Sequence, residues 1–185
     1  MKYFIVLLLM LATPAIAQQA IDNADMARIY EADQAIRTNF PQNPTQEFIQ
    51  KSIADDKARK LETAALVKSG ALHSGLDYRR AAFIFQHGDK PGDYLLAHTL
   101  AMVAMSKGDR EASWIAAATL DRYLQSVAHP QIYGTQFNFP TEGTAGQDPY
   151  DRTLISDALR AELRVPTQAE QEKRRASMEA EQRKP

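Results

Sequence analysis

From Tyr94 to Met105 ten of twelve residues are apolar, and the stretch lies between Gly92 and Gly108, too long for a strand and right for a helix. A helix that is apolar nearly all round has to be covered on several sides. The spacing therefore predicts a central helix ending near Lys107, with other helices packed around it.

The neighbours can be read from the same periodicity. Ile21, Met26, Ile29, Tyr30 and Ile36 recur at helical spacing before Pro41 and Pro44. In "NPTQ", Asn43 is expected to cap a second helix with Pro44 at its first position and Gln46 completing the box. Ala54, Ala58, Leu61 and Ala65 are its expected buried stripe, with Asp55 and Arg59, and Asp56 and Lys60, as exposed pairs one turn apart. "LDYRRAAFIFQH" makes a third helix that stops at Gly88. After the central helix, Asp109 is expected to cap a fifth, whose buried stripe is Ala112, Ile115, Ala116, Leu120, Tyr123, Leu124 and Val127, and which His129-Pro130 ends. "TLISDALRAELRV" and "TQAEQEKRRASMEAEQRK" follow; Thr167 and Glu170 form a capping box in the second, whose lack of an apolar face predicts a fraying end. Short connections imply antiparallel neighbours. The expected fold class is mainly α, a small antiparallel helical bundle.

One stretch breaks the pattern. "HPQIYGTQFNF", residues 129–139, alternates Ile132, Tyr133, Thr135, Phe137 and Phe139 around Gly134, which predicts an extended segment. The turn-rich "PTEGTAGQDP" after it is expected to return as the second half of a short β-hairpin insertion. Its main-chain donors and acceptors need partners, and the polar ends of neighbouring helices are the natural ones.

The chain opens with Lys2, an apolar run from Phe4 to Ala12, Pro14 and then Ala15-Ile16-Ala17, the pattern of a secretory signal cleaved after Ala17. The expected organisation is a signal peptide at 1–17, a helical domain at 18–166 and a charged C-terminal helix or tail at 167–185. The mature protein is expected in the periplasm or outside the cell, with no membrane association after signal removal. Absence of Cys excludes disulfides, thiolate nucleophiles, Cys-ligated metals and lipid attachment at the cleavage site. Without Lys2, 21 Lys plus Arg face 23 Asp plus Glu, which gives no electrostatic case for nucleic acid as a partner.

The polar residues that can carry chemistry gather at helix ends. Gln86, His87 and Asp89 follow the third helix, Asp121 and Arg122 stand opposite the fifth helix's apolar stripe, Asp33 and Arg37 lie one turn apart, and Gln131, Tyr133 and Gln136 belong to the extended segment. His87 suits a general acid or base oriented by Asp89 or Asp121. Arg37 or Arg122 suits bidentate capture of an anion, and Gln131, Tyr133 and Gln136 suit the reading of a polar ligand. The competing reading makes all of them structural: His87 tied to the extended segment, Asp33 with Arg37 an intrahelical pair, the glutamines fastening a loop. His87-x-Asp89 is too small a nucleus for a metal, and no phosphate-binding glycine loop or G-x-S-x-G elbow occurs, so neither metal nor cofactor is expected.

These stretches also carry a resemblance. "DQAIR" at 33–37, "AAFIFQHGD" at 81–89, "TLDRYLQ" at 119–125, "PQIYGTQF" at 130–137 and "LRAELRVPTQAE" at 159–170 stand in the order seen in the bacterial family catalogued as domain of unknown function 6624, which the chain resembles. The chain departs from that pattern at 69–75, where "SGALHSG" replaces the Gly-Trp that typically precedes the QH helix. The resemblance implies no particular activity. Taken together, the residues suggest a binding module for a small polar ligand or peptide; the alternatives are a hydrolase-like enzyme using a His/Asp pair and a structural or protein-interaction domain.

Overall fold

The computed structural model describes residues 21–138 and 145–182. The stretch expected to be a signal peptide, 1–17, lies outside them. Seven helices run through the described residues: α1 (Ala24–Thr38), α2 (Gln46–Lys68), α3 (Gly75–Phe85), α4 (Pro91–Ser106), α5 (Ala112–Ser126), α6 (Asp157–Glu162) and α7 (Gln168–Gln182). None is long and apolar enough to cross a membrane.

Capping fixes how the first three meet. Asn23 accepts the Met26 N–H at 2.9 Å, and its own N–H donates to Asp77 Oδ1 at 2.9 Å. Asp77 also closes the capping box of α3 with Ser74, so the N-termini of α1 and α3 are tied through one buried carboxylate. Those two helices run parallel, because Asp33 late in α1 meets His87 just beyond α3. α2 runs antiparallel to α1, with Arg28 against Glu62 at one end and Arg37 against Asp56 at the other.

α3, α4 and α5 pack in succession. The start of α3 lies on the end of α4 so closely that a Cβ on Gly75 would stand 2.8 Å from Asp109 Cβ and 3.0 Å from the Ala104 carbonyl. Alanines line these contacts: Ala81 and Ala82 of α3, Ala97, Ala101 and Ala104 of α4, and Ala112 and Ala116 of α5 are all buried. Met26, Ile29, Ile84, Phe85, Leu100 and Ile115 fill the space between them. Small side chains let helix axes approach, and the larger ones supply most of the apolar burial.

The structure corrects several expectations. α4 is covered on two sides, but Leu95 (42% exposed) and Met102 (49%) face out, because α3 and α5 leave its third side open. α2 is turned over. Its expected stripe of Ala54, Ala58, Leu61 and Ala65 is exposed, while Ser52, Arg59 and Thr63 are buried. The cause lies in α1, whose facing side carries the buried Asp33 and needs cations rather than alanines opposite it. Leu66, Val67 and Ala64 anchor α2 to the core instead. Its cap is Thr45, whose Oγ1 accepts from Phe48 N at 3.1 Å, rather than Asn43. Asp109 stands ahead of the start of α5, accepting from Glu111 N at 3.1 Å without capping the helix. Asp121, expected opposite the buried face of α5, is itself fully buried.

The short β-hairpin is not seen. Among the described residues there is no sheet, only isolated bridges between Gln131 and Tyr150 and between Asn138 and Gly146. A ladder needs main-chain donors that are free, and here the N–H groups of Ile132, Tyr133 and Thr135 turn to the carboxylate of Asp121 while that of Gln136 turns to Gln131 Oε1. Gly134, at φ +79°, supplies the bend that aims them inward.

Candidate functional site

The extended ribbon is wrapped around one carboxylate. Asp121 Oδ1 accepts from Ile132 N at 2.8 Å and Tyr133 N at 3.0 Å, and Oδ2 accepts from Thr135 N at 3.0 Å and Thr135 Oγ1 at 2.8 Å. Gln131 is fully buried and donates to the carbonyls of Gln136, at 3.0 Å, and Gln147. Gln136 Nε2 reaches the Ala118 carbonyl of α5 at 3.2 Å. The Tyr133 carbonyl accepts from Gln171 of α7 at 2.9 Å, from the Tyr150 hydroxyl at 3.2 Å and from Arg160 of α6 at 3.4 Å. Burial, with Asp121 close by, raises the phenol pKa of Tyr133; burial also raises that of Tyr150, outweighing Arg160 beside it. Arg160, with no exposed surface, donates in addition to the Tyr150 hydroxyl at 2.7 Å and to the Ile155 carbonyl.

Three helices thus hold the ribbon, and its amides are engaged in holding it. Asp121, Gln131 and Gln136 point into this network. Arg160, Tyr150, Gln147 and Gln171 are members that sequence reasoning missed. A buried Arg in a six-residue helix leaves no periodic signal, and an isolated Gln is read as surface by default.

A second cluster joins α1, α2 and the end of α3. Asp33, 1% exposed, accepts from Gln34 Nε2 at 2.9 Å and Arg37 Nη2 at 3.1 Å, and lies 3.6 Å from Arg59 Nε. Asp56 bridges the two arginines, accepting from Arg37 at 2.7 Å and from Arg59. Burial alone would raise the Asp33 pKa, but His87 and Arg37 beside it outweigh burial and hold it below its ordinary value of 3.8. Arg37 shows the converse: burial acts to lower its pKa, and Asp56 and Asp33 raise it. The pairs expected within α2 are rearranged, with Asp55 taking Lys51 at 2.7 Å and Lys60 reaching Asp93 at 2.8 Å and Asp89 at 3.2 Å.

His87 stands at the edge of this cluster. Its Nε2 is 3.6 Å from Asp33 Oδ2, beyond hydrogen-bond reach, and is buried without a hydrogen-bond partner. The acid beside His87 is therefore Asp33; neither Asp89 nor Asp121 makes an ion pair with it. Asp89 is exposed and tied to Lys60, which holds its carboxyl below the ordinary range. Gln86 forms the C-cap of α3 and is buried at 8% exposure.

The partly exposed ring of His87 lines a groove of about 480 Å³ with Ile53, Leu61 and Ile84 as apolar walls and Asp56, Lys57, Lys60, Asp89 and Lys90 around them. Ile53 is 58% and Leu61 63% exposed, so the overturned face of α2 forms one side of it. Lys57 and Lys90 make no salt bridge among the described residues, whereas Lys60 is paired twice. Lys57 and Lys90 were not singled out from sequence because each reads there as an ordinary solvated charge.

Arg122 belongs to neither cluster. It lines a recess with Tyr94, Gln125 and Ser126, its Nε is buried without a partner, and burial lowers its pKa despite the nearby Tyr94. The residues expected to converge are thus divided: His87 and Asp89 line the groove, with Asp33 and Arg37 behind the histidine; Asp121, Gln131, Tyr133 and Gln136 build the ribbon network; Arg122 stands apart. No protein-family model, no curated protein and no solved structure matches the chain.

Proposed function

We propose that the chain is an exported binding module that takes a small polar ligand or peptide in the His87 groove, and that the ligand carries acidic groups beside at least one apolar side chain. The observation that supports this most is the meeting of two cations that make no salt bridge among the described residues, Lys57 and Lys90, with the exposed Ile53 and Leu61 in one concavity. Small-molecule sites combine apolar walls with a few placed polar groups in clefts of roughly 300–1,000 Å³, which the groove matches. Asp33 and its arginines form the rigid support behind the histidine, and the ribbon network is the scaffold that locks α5, α6 and α7 together.

Fluorescence polarisation with a labelled peptide alternating Glu and Leu tests the reading. Saturable binding is expected, weakened about tenfold or more by Lys57→Glu, a change that converts an attraction into a repulsion. Equal affinity for wild type and Lys57→Glu, or no binding, counts against it.

A hydrolase-like reading draws on one specific feature, the buried Asp33 carboxylate 3.6 Å from His87 Nε2, which sets an acid beside a candidate base. The groove lining holds no Ser, Thr or Cys, so His87 would have to activate water directly. Hydrolysis of the bound peptide that disappears in His87→Gln, with binding retained, would favour this reading over simple capture.

A further inference from the structure

A separate cavity of about 400 Å³ lies between α5, the ribbon and the start of α7, and it shares no lining residue with the His87 groove. Its apolar walls are Trp114, Phe137, Val165 and Pro166. Trp114 is backed by Phe83, stacked with ring centroids 6.4 Å apart and planes at 20°.

The polar side chains at its floor are already satisfied. Thr135 Oγ1 donates to Asp121 and accepts from Gln136 Nε2 at 2.9 Å. Gln171 Nε2 donates to the carbonyls of Tyr133 and Pro166, and its Oε1 accepts from Gln147 at 3.2 Å. Against these two side chains an apolar part of a guest is favoured, because a polar atom there would lose its water without gaining a partner from them.

The rim behaves differently. Arg164 is paired with Glu111, and Glu170 accepts the N–H and hydroxyl of Thr167 at 2.7 Å each as the cap of α7. Arg174 is exposed, makes no salt bridge among the described residues, and lies 5.5 Å from the Phe137 ring centroid. One guanidinium without a salt bridge thus stands at the mouth of a cavity whose walls include Trp114 and Phe137 and whose Thr135 and Gln171 side chains are already bonded.

We propose that this cavity binds a small amphiphilic anion, an aryl or similar apolar body seated against Trp114 and Phe137 with a single carboxylate held by Arg174. The planar guanidinium fork matches a carboxylate. Glu170 on the same rim disfavours a second negative group on the guest.

Trp114 is the only tryptophan of the chain and reports on its own cavity. In a titration of the mature protein with 4-nitrobenzoate, a quencher of indole fluorescence, emission should fall along a saturating curve. The neutral 4-nitrobenzamide should bind on the order of tenfold more weakly, about the effect of one charge-assisted contact. Arg174→Gln, a change at an exposed position, should bring the acid down to the amide, while Lys57→Glu in the other groove should leave the titration unchanged. Linear quenching without saturation, equal binding of acid and amide, or no effect of Arg174→Gln would overturn the proposal.

Discussion

Asp121 and Thr135 are joined twice, the carboxylate Oδ2 accepting the Thr135 N–H at 3.0 Å and its hydroxyl at 2.8 Å. With Ile132 and Tyr133 on Oδ1, one buried side chain of α5 satisfies four donors of a segment that has no ladder of its own. The ribbon's shape is set by that carboxylate, and its alternating sequence serves the inward and outward turns this requires.

Asp121→Asn keeps the size but turns an NH₂ group toward N–H donors. Breaking a buried, multiply bonded charge typically costs about 3–5 kcal/mol, and an isosteric amide that retains one acceptor should fall near the lower end. Urea unfolding followed by circular dichroism should show that loss, and hydrogen exchange at Ile132, Tyr133 and Thr135 should accelerate with it.

Gly134 offers a contrast in backbone chemistry. At φ +79° an added Cβ would lie 2.1 Å from Gln171 Oε1 and 2.6 Å from the Tyr150 hydroxyl, both members of the satisfied network. Gly108, at φ +92°, has nothing within 4 Å of the same position. Gly108→Ala should cost about 1–2 kcal/mol, the left-handed penalty alone. Gly134→Ala should cost more than that, and equal losses in thermal melts of the two variants would contradict the packing described.

The turned-over α2 makes a prediction opposite to that of its sequence pattern. Leu61→Gln replaces a residue that is 63% exposed and should change stability by no more than about 0.5 kcal/mol. Thr63→Asp, at a site with no exposed surface where the hydroxyl donates to the Arg59 carbonyl at 2.8 Å, should cost several kcal/mol. Chemical denaturation of the two variants decides which face is inside.

Asp33 gives a pH dependence with a definite sign. Its pKa is lowered on folding, so its contribution is fully present above the unfolded value near 3.8 and is lost as pH falls through the folded one. Stability measured from pH 6 down to about pH 2 should therefore decline more steeply in wild type than in Asp33→Asn, whose amide does not titrate. Parallel curves would show that Asp33 is not held by His87 and Arg37 as described.

The helices were legible where they are punctuated: Thr167 with Glu170 caps where the sequence places it, and Gly108 turns the chain. What periodicity cannot register is a helix whose polar face points inward. The stripe Ala54, Ala58, Leu61 and Ala65 reads as a core seam, and only the position of Asp33 on a different helix reverses it. The same limit divided the expected site. Asp33, Arg37 and His87 come together because α1 and α3 run parallel, a relation that local sequence does not encode, whereas Asp121 was claimed by the neighbouring ribbon. His87 was legible as chemistry; its partner was not.

The groove at His87 is tested most directly by methyl and imidazole chemical shifts of isotope-labelled protein during titration with the Glu and Leu peptide. Saturable shifts confined to His87 and to the methyl groups of Ile53, Leu61 and Ile84, with the amide signals of Gln131, Thr135 and Gln136 unmoved, are the expected result. Shifts that fall on the ribbon while His87 stays still would contradict it.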